Sequence, residues 1–521
     1  MNKGITIPYR AFFAAAYIYL ALPILIFFLG YLKIYIGVIC AAVLILSAVL
    51  AIRDCGKDPE GLLKEEKALS FPVKFLIIGA VTAIILTLVN GVGEYTWGPY
   101  DHAFRRAILN DLVEYKWPII YDPATQTDPY VIQIMNLNGP QGFVYYFTYW
   151  LPSALIGKLF GFGAGNIFLV LWNSIGIFIT FIGMSMYLKR ATYASMFMYI
   201  CFSGLDVIPL IVNDIRPYEG WFWIDGWVSH VSLISNFNNL ENVYHQAVPC
   251  YLIIVLILLA KNNRSLGSIA AMIFAYSPWV TMGMIPVVFV RMFMKDLKAE
   301  KTSRQVRNIF TVGNLLMPAV LLIIYGLFYS AKSDSMHEHG FVWEFYGSVP
   351  KFLLVYVLLL AVEVLPAFII VFKDQKKNPM FWAAIALLMI CPVYKITESN
   401  DFTMRVSMPA LFLLTIFVAK VVSGVAEEDL ELARKGKKRK GAKAHLKLGA
   451  LCLVLIGMAY VTYYMGSAIF AATFFGDREE WPDDDIVSFG NVAGPAYADK
   501  IEDQFFVEDP DNSPFFKYLA R

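Results

Sequence analysis

The chain has 521 residues, 58% of them apolar, 16% charged and 16% aromatic, with 43 Lys and Arg against 41 Asp and Glu. A soluble protein of this length carries about a quarter of its residues as charges, whereas here the apolar residues gather in runs of about 17–24, enough to cross a hydrocarbon core as helices. That excludes a soluble enzyme, a disordered scaffold and a β-barrel, whose strands alternate apolar with polar. The net charge of +2 gives no case for nucleic acid, which needs a basic face.

In chain order the sequence predicts an all-α, polytopic transmembrane bundle of about 13 spans. They are 11–30, 34–52, 73–91, 165–187, 192–212, 244–260, 265–276, 279–294, 309–329, 350–371, 379–395, 408–424 and 448–470. The first lacks a small-residue cleavage site and reads as a retained span. The pair 265–276 and 279–294, split by Ser277-Pro278-Trp279, reads as two tilted half-spans or one broken hairpin. The organisation is then an N-terminal hairpin with its connector (1–72), a core (73–424), a basic linker (425–447), and a last span with its tail (448–521). Six cysteines without a C-x-x-C pair indicate neither a disulfide framework nor a zinc site.

Orientation follows from charge. The run 141–161 (QGFVYYFTYWLPSALIGKLFG) is apolar enough to span, but if it does, Lys189, Arg190 and the basic cluster at 434–447 all fall outside. If it lies along the outer surface, roughly twice as many Lys and Arg fall inside as outside, as the positive-inside rule requires. We therefore expect 141–161 at the outer interface, its Tyr and Trp in the interfacial belt. The N-terminus is then cytoplasmic and the C-terminal tail extracytoplasmic, in a multi-pass protein of the cell membrane. Outer segments are 92–164, 213–243, 331–349, 396–407 and the acidic tail 471–521.

Residues fit for chemistry sit in those outer segments. Over 101–114, Phe104, Ala107, Ile108 and Leu112 share one helical face, with Asp101, Arg105, Arg106, Asn110 and Glu114 on the rest. This is either a plain amphipathic surface helix with an Asp101–Arg105 pair, or a carboxylate and cations held where a lipid phosphate docks. Asp101, preceding the helix, is expected to point under the loop, and Asp111 and Glu114 towards solvent. Asp206 and Glu363 fall in or near spans, where an acid faces a cavity or a partner; Asp214 and Arg216 follow Asp206 at the outer face. The loop 213–243 carries Trp221, Trp223 and Trp227 with Asn236, Asn238, Asn239 and Glu241, and His245 and Gln246 follow. Such aromatic faces with amides and carboxylates bind sugar hydroxyls, and equally occur in any interfacial loop. Glu398 and Asp401 precede Arg405, a fork for phosphate or a helix-start pair with Asp401 capped by Asn400. Asp483, Asp484 and Asp485 in the tail read as solvated.

The arrangement is a long outer loop with an early Asp, a Gly-Pro break (Gly139-Pro140), an apolar helix ending in LFG, a span ending in basic residues, and short paired spans around SPW. Over residues 73–424 it resembles the GT-C superfamily of membrane glycosyltransferases, in particular uncharacterised bacterial members. It departs from that pattern in having Gly-Pro for the double proline and His102-Ala103 after Asp101, without the family's second acid. The resemblance implies inverting transfer of a sugar from a polyprenyl-phosphate donor to an extracytoplasmic glycan, lipid or protein acceptor. It casts Asp101 as general base, with Asp206 as the second catalytic candidate, and Arg405 with Arg105 or Arg106 on the leaving phosphate. His102, Asp214, Glu241, His245, Gln246, Glu398 and Asp401 would complete the substrate site, with no cofactor and no metal ligand assigned. The rivals are a lipid-linked glycan transporter or flippase, a glycan polymerase or ligase, and a structural membrane protein.

Overall fold

A computed structural model describes residues 4–55, 68–96, 101–122, 139–203, 205, 228, 230–293, 302–331, 339–397, 400–423 and 505–521, with a few positions between 449 and 461. The chain is mostly helical. Among the described residues seven helices are long and apolar enough to cross a membrane, and four shorter apolar helices pack between them. The first part of the chain contains β1 (Gly4–Pro8), α1 (Tyr9–Tyr31), α2 (Ile34–Asp54), β2 (Ala68–Pro72), α3 (Val73–Val89) and α4 (Asp101–Glu114). Then come β3 (Ile120–Tyr121), β4 (Gln141–Phe143), α5 (Leu151–Phe160), α6 (Phe162–Tyr187), α7 (Tyr193–Cys201) and α8 (Asn236–Leu259). The remainder is α9 (Leu266–Ala275), α10 (Pro278–Phe293), α11 (Thr302–Ile309), α12 (Val312–Tyr329), β5 (His339–Phe341), α13 (Val349–Gln375), α14 (Pro379–Ile390), β6 (Tyr394–Ile396), α15 (Asp401–Val422) and β7 (Phe506–Glu508). α8 and α15 are buried along most of their length and form the centre, while α2, α12 and α13 present many exposed Leu, Ile and Val side chains to the surroundings.

The bundle has two chemically distinct ends. At one, β1 pairs antiparallel with β2, and Asn262 donates to the carbonyl of Asp54 at 2.6 Å. Arg291 donates to Asn263 Oδ1 and Ala260 O at 2.6 and 2.7 Å, and Lys261 lies over the Tyr9 ring at 4.6 Å. Arg53 and Arg264 also sit here, so several of the basic clusters separated in sequence converge at one end. At the other end β4 lies between β3 and β7, and β5 pairs with β6. The last residues close on the α1–α2 turn: Lys33 N donates to Leu519 O at 2.8 Å and Arg521 N to Tyr31 O at 2.9 Å. Phe515 anchors them, its ring 4.9 Å from that of Phe328.

Residues 141–161 begin and finish at this second end. Phe143 N donates to Ile119 O at 3.1 Å, and Lys158 Nζ donates to the carbonyls of Val113 and Tyr115 at 2.9 and 2.6 Å. The ten residues of α5 reach about 15 Å, half a hydrocarbon core. Gly161, at φ 89°, then turns the chain into α6, whose Asn166 donates to Gly93 O at 2.8 Å. α6 delivers Lys189 and Arg190 near the ribbon end, where Thr192 caps α7 and Tyr193 lies 5.4 Å from Phe75. The aromatic residues of the run are not an exposed belt, however. Tyr149 and Trp150 are fully buried, and the exposed apolar side chains are Leu155, Leu159 and Phe160.

Two spans differ from the sequence reading. The helix expected over 192–212 leaves helical geometry after Cys201, with Ser203 at φ 64°. α8 starts at Asn236, capped by Ser235, and is broken at Val243 (φ −141°, ψ 41°). In an unbroken helix residues fifteen apart lie about 22 Å apart, yet Tyr251 Oη donates to Asn236 Oδ1 at 3.3 Å. The first turns therefore fold back along the rest, and Asn236, Asn238, Asn239 and Glu241 are interior residues rather than part of an outer loop. Most of 448–470, and residues 206–212, lie outside the described residues.

Candidate functional site

Four segments meet at the end opposite the basic clusters: α4, the run 145–150, the break in α8, and the start of α15. α4 is amphipathic as expected, with Ala107, Ile108 and Leu112 buried against α5 and α6. Its other face is enclosed too, since His102 and Arg105 are buried, and this corrects the picture of a helix lying open in the headgroup plane. Breaking the ladder of α8 at Val243 leaves nearby carbonyls for other donors, and that of Glu241 receives His102 Nε2 at 2.8 Å and Arg105 Nη1 at 3.3 Å. Burial first and the neighbouring Arg105 second lower the His102 pKa to about 3, against the raising effect of the Glu241 and Gly91 backbone. The ring is thus a neutral donor. Arg106, one residue on, points elsewhere: its Nη1 is 3.0 Å from Glu94 Oε2 and its guanidinium stacks over Phe162.

His245 is the centre. Its ring lies 4.5 Å from that of Trp150 and stacks at 6.1 Å on Tyr146, and the Trp150 indole donates to Tyr244 Oη at 2.9 Å. Arg105, whose guanidinium lies 5.7 Å over the Tyr244 ring, and Arg405 both bear electrostatically on His245. Gln246 Nε2 lies 3.1 Å from His245 Nε2. Among the described residues His245 Nδ1, Gln246 Oε1 and Arg405 Nε are buried without a hydrogen-bond partner. Arg405 is held by Asp401 at 2.8 Å, and Asn400, left-handed at φ 56°, caps α15 through Thr403 N. Tyr145 and Tyr146 also interact electrostatically with Arg405. Two guanidiniums, an imidazole, an amide oxygen and an aromatic wall are thus gathered in one place, and guanidiniums are the side chains that pair with carboxylates and phosphates.

Of the residues expected at a site, the structure brings together His102, Arg105, Glu241, His245, Gln246, Asp401 and Arg405, and leaves Arg106 on the flank. Asp206, Asp214 and Glu398 lie outside the described residues, as do Trp221, Trp223, Trp227, the three tail aspartates, and the side chain of Asp101, whose backbone opens α4. Asp111 is a correction. It is fully buried, not solvated, and accepts from Tyr121 Oη at 2.5 Å; burial first and Asp111 second keep that phenol protonated. Tyr146 and Trp150 were missed as site residues, although the density of the run VYYFTYW was the available signal. Glu363 has both things expected of an acid in a span, a partner and a cavity: Ser203 Oγ donates to its Oε2 at 3.0 Å. Among the described residues no group of three or more His, Cys, Asp or Glu comes together.

No protein family, curated protein or solved structure matches the chain.

Proposed function

We propose that the chain is an integral-membrane glycosyltransferase of the GT-C type, with about 13 spans, its N-terminus cytoplasmic and its tail extracytoplasmic. It moves a sugar from a polyprenyl-phosphate donor to a glycan, lipid or protein acceptor outside the cell membrane. The observation that carries the reading is the convergence of Arg105 and Arg405 on His245 beside the aromatic run 145–150. Nucleotide-sugars are absent on the outer side, so the donor arrives on a lipid, and α5 lies at the interface where that lipid docks.

In the reaction the bond from the anomeric carbon to the phosphate oxygen breaks, the bond to the acceptor oxygen forms, and the acceptor proton passes to a carboxylate, assigned to Asp101. The departing polyprenyl phosphate gains negative charge, so fixed guanidiniums bind it more strongly as the bond breaks, which is what accelerates the step. His245 Nδ1 and Gln246 Oε1, buried without a hydrogen-bond partner among the described residues, are the groups we assign to the sugar hydroxyls. Purified protein given a panel of radiolabelled polyprenyl-phosphate sugars and a mixed acceptor extract should transfer one of them; release with none, under conditions where the protein stays folded, rejects the reading.

A lipid-linked glycan flippase is the second reading, favoured by the end of α7 at Cys201 and the fold-back at Val243, since interrupted helices inside a bundle mark transport pathways. Reconstituted vesicles separate the two, because a flippase moves labelled lipid between leaflets without changing its mass.

A further inference from the structure

At the basic end of the bundle the short helix α11 is turned inside out. Its Asn308 is buried, and the carbonyl of Asn308 accepts from Asn314 Nδ2 at 3.2 Å. Val306 and Phe310, on the opposite side of the turn, are 47% and 67% exposed, and Phe310 N donates to Val306 O at 3.1 Å, which sets the two on one face. A helix packed against a protein in water has the reverse arrangement, apolar inward and polar outward. α12 continues the outward apolar face with Val312, Leu315, Leu322 and Ile323. Its 18 residues rise about 27 Å, close to the thickness of a hydrocarbon core, so the α11–α12 joint lies at headgroup level. Two cations flank that joint. Arg264 is fixed through its backbone, its N donating to Asn262 Oδ1 at 3.0 Å and its O accepting from Thr311 Oγ1 at 2.5 Å. Its side chain is half-buried, and Nε has no hydrogen-bond partner among the described residues. Arg307, one turn before Thr311, is exposed.

We propose that the α11–α12 joint docks an anionic phospholipid of the leaflet at the basic end, with Val306 and Phe310 entering the acyl boundary and Arg264 and Arg307 meeting the headgroup phosphate. An apolar face bordered by cations is the arrangement that binds an anionic lipid surface. Charge complementarity sets the preference: a zwitterionic headgroup brings its own ammonium towards the guanidiniums, and an anionic one does not. The inference stands apart from the transferase reading, because it concerns the opposite end of the bundle and holds whether or not a sugar is moved.

The test is thermal unfolding of the purified full chain in detergent, titrated with phosphatidylglycerol or with phosphatidylcholine of the same acyl chains. A ligand that binds the folded state raises the midpoint with its concentration. The wild type should be raised further by phosphatidylglycerol. Arg264→Gln combined with Arg307→Gln should need severalfold more phosphatidylglycerol for the half-maximal shift, with the phosphatidylcholine response unchanged, and Phe310→Ser should weaken both responses. Arg307→Gln alone, at an exposed position, decides the matter if the double variant does not fold. Equal responses of the wild type to the two lipids, or a phosphatidylglycerol response unchanged by the arginine variants, would overturn the proposal. So would an equal shift produced by glycerol 1-phosphate, since the occupant would then be a free phosphate and not a lipid.

Discussion

His102 Nε2 lies 2.8 Å from the carbonyl oxygen of Glu241, tying helix α4 to the break in the central helix α8. With its pKa lowered to about 3 from the ordinary 6.5, the ring stays neutral in the folded protein while the unfolded chain takes up a proton below about pH 6.5. The unfolded state then binds more protons, so folding stability falls as the pH drops from about 6.5 to 3, by at most about 1.4 kcal/mol per pH unit from this group. His102→Gln, which keeps an N–H donor and cannot titrate, should flatten that slope by about one proton in denaturation curves taken at several pH values. An unchanged slope would mean that the ring is already protonated when folded.

Arg405 bears on His245 and holds Asp401 at 2.8 Å, so its two roles need separating. If it clamps the leaving phosphate, Arg405→Lys keeps the charge but loses the fork, and turnover should fall tenfold or more, on the order of 1.4 kcal/mol, with a smaller loss of donor binding. If it serves only the helix start, Arg405→Lys should be nearly silent and Asp401→Asn should cost as much as Arg405→Ala. Kinetics of the three variants side by side distinguish these outcomes.

Two nearby aspartates should behave oppositely. Asp101→Asn is expected to abolish transfer while leaving thermal stability near wild type. Asp111→Asn removes the charge that strengthens the bond from Tyr121, inside a fully buried pocket, and should destabilise the protein by about 1–3 kcal/mol. Retained turnover in Asp101→Asn would shift the base to Asp206 or Asp214.

The course of 141–161 sets the sidedness of every later span. With the native cysteines replaced, a cysteine at Lys189 should resist an impermeant reagent in intact cells and react after permeabilisation. Labelling of intact cells would reverse the assignment.

What the sequence determined by itself is what composition and short-range chemistry control. Apolar runs predicted most of the helices, and the i,i+4 spacing of Asp401 and Arg405, with Asn400 before them, offered a helix start that the structure contains. Arg105 and Arg405 were legible one at a time, as cations at the edges of apolar runs. That both act electrostatically on His245 was not, because the approach of distant segments has no local signature. The same holds for the fold-back at Val243, which carries neither Gly nor Pro and is maintained by buried contacts such as Asn236 with Tyr251 and Thr415. A polar run such as Asn236–Glu241 reads as surface until a second polar segment is found to satisfy it inside. Only packing decided that Trp150 is buried against His245 rather than exposed, because an indole satisfies its N–H equally well on water or on the Tyr244 hydroxyl.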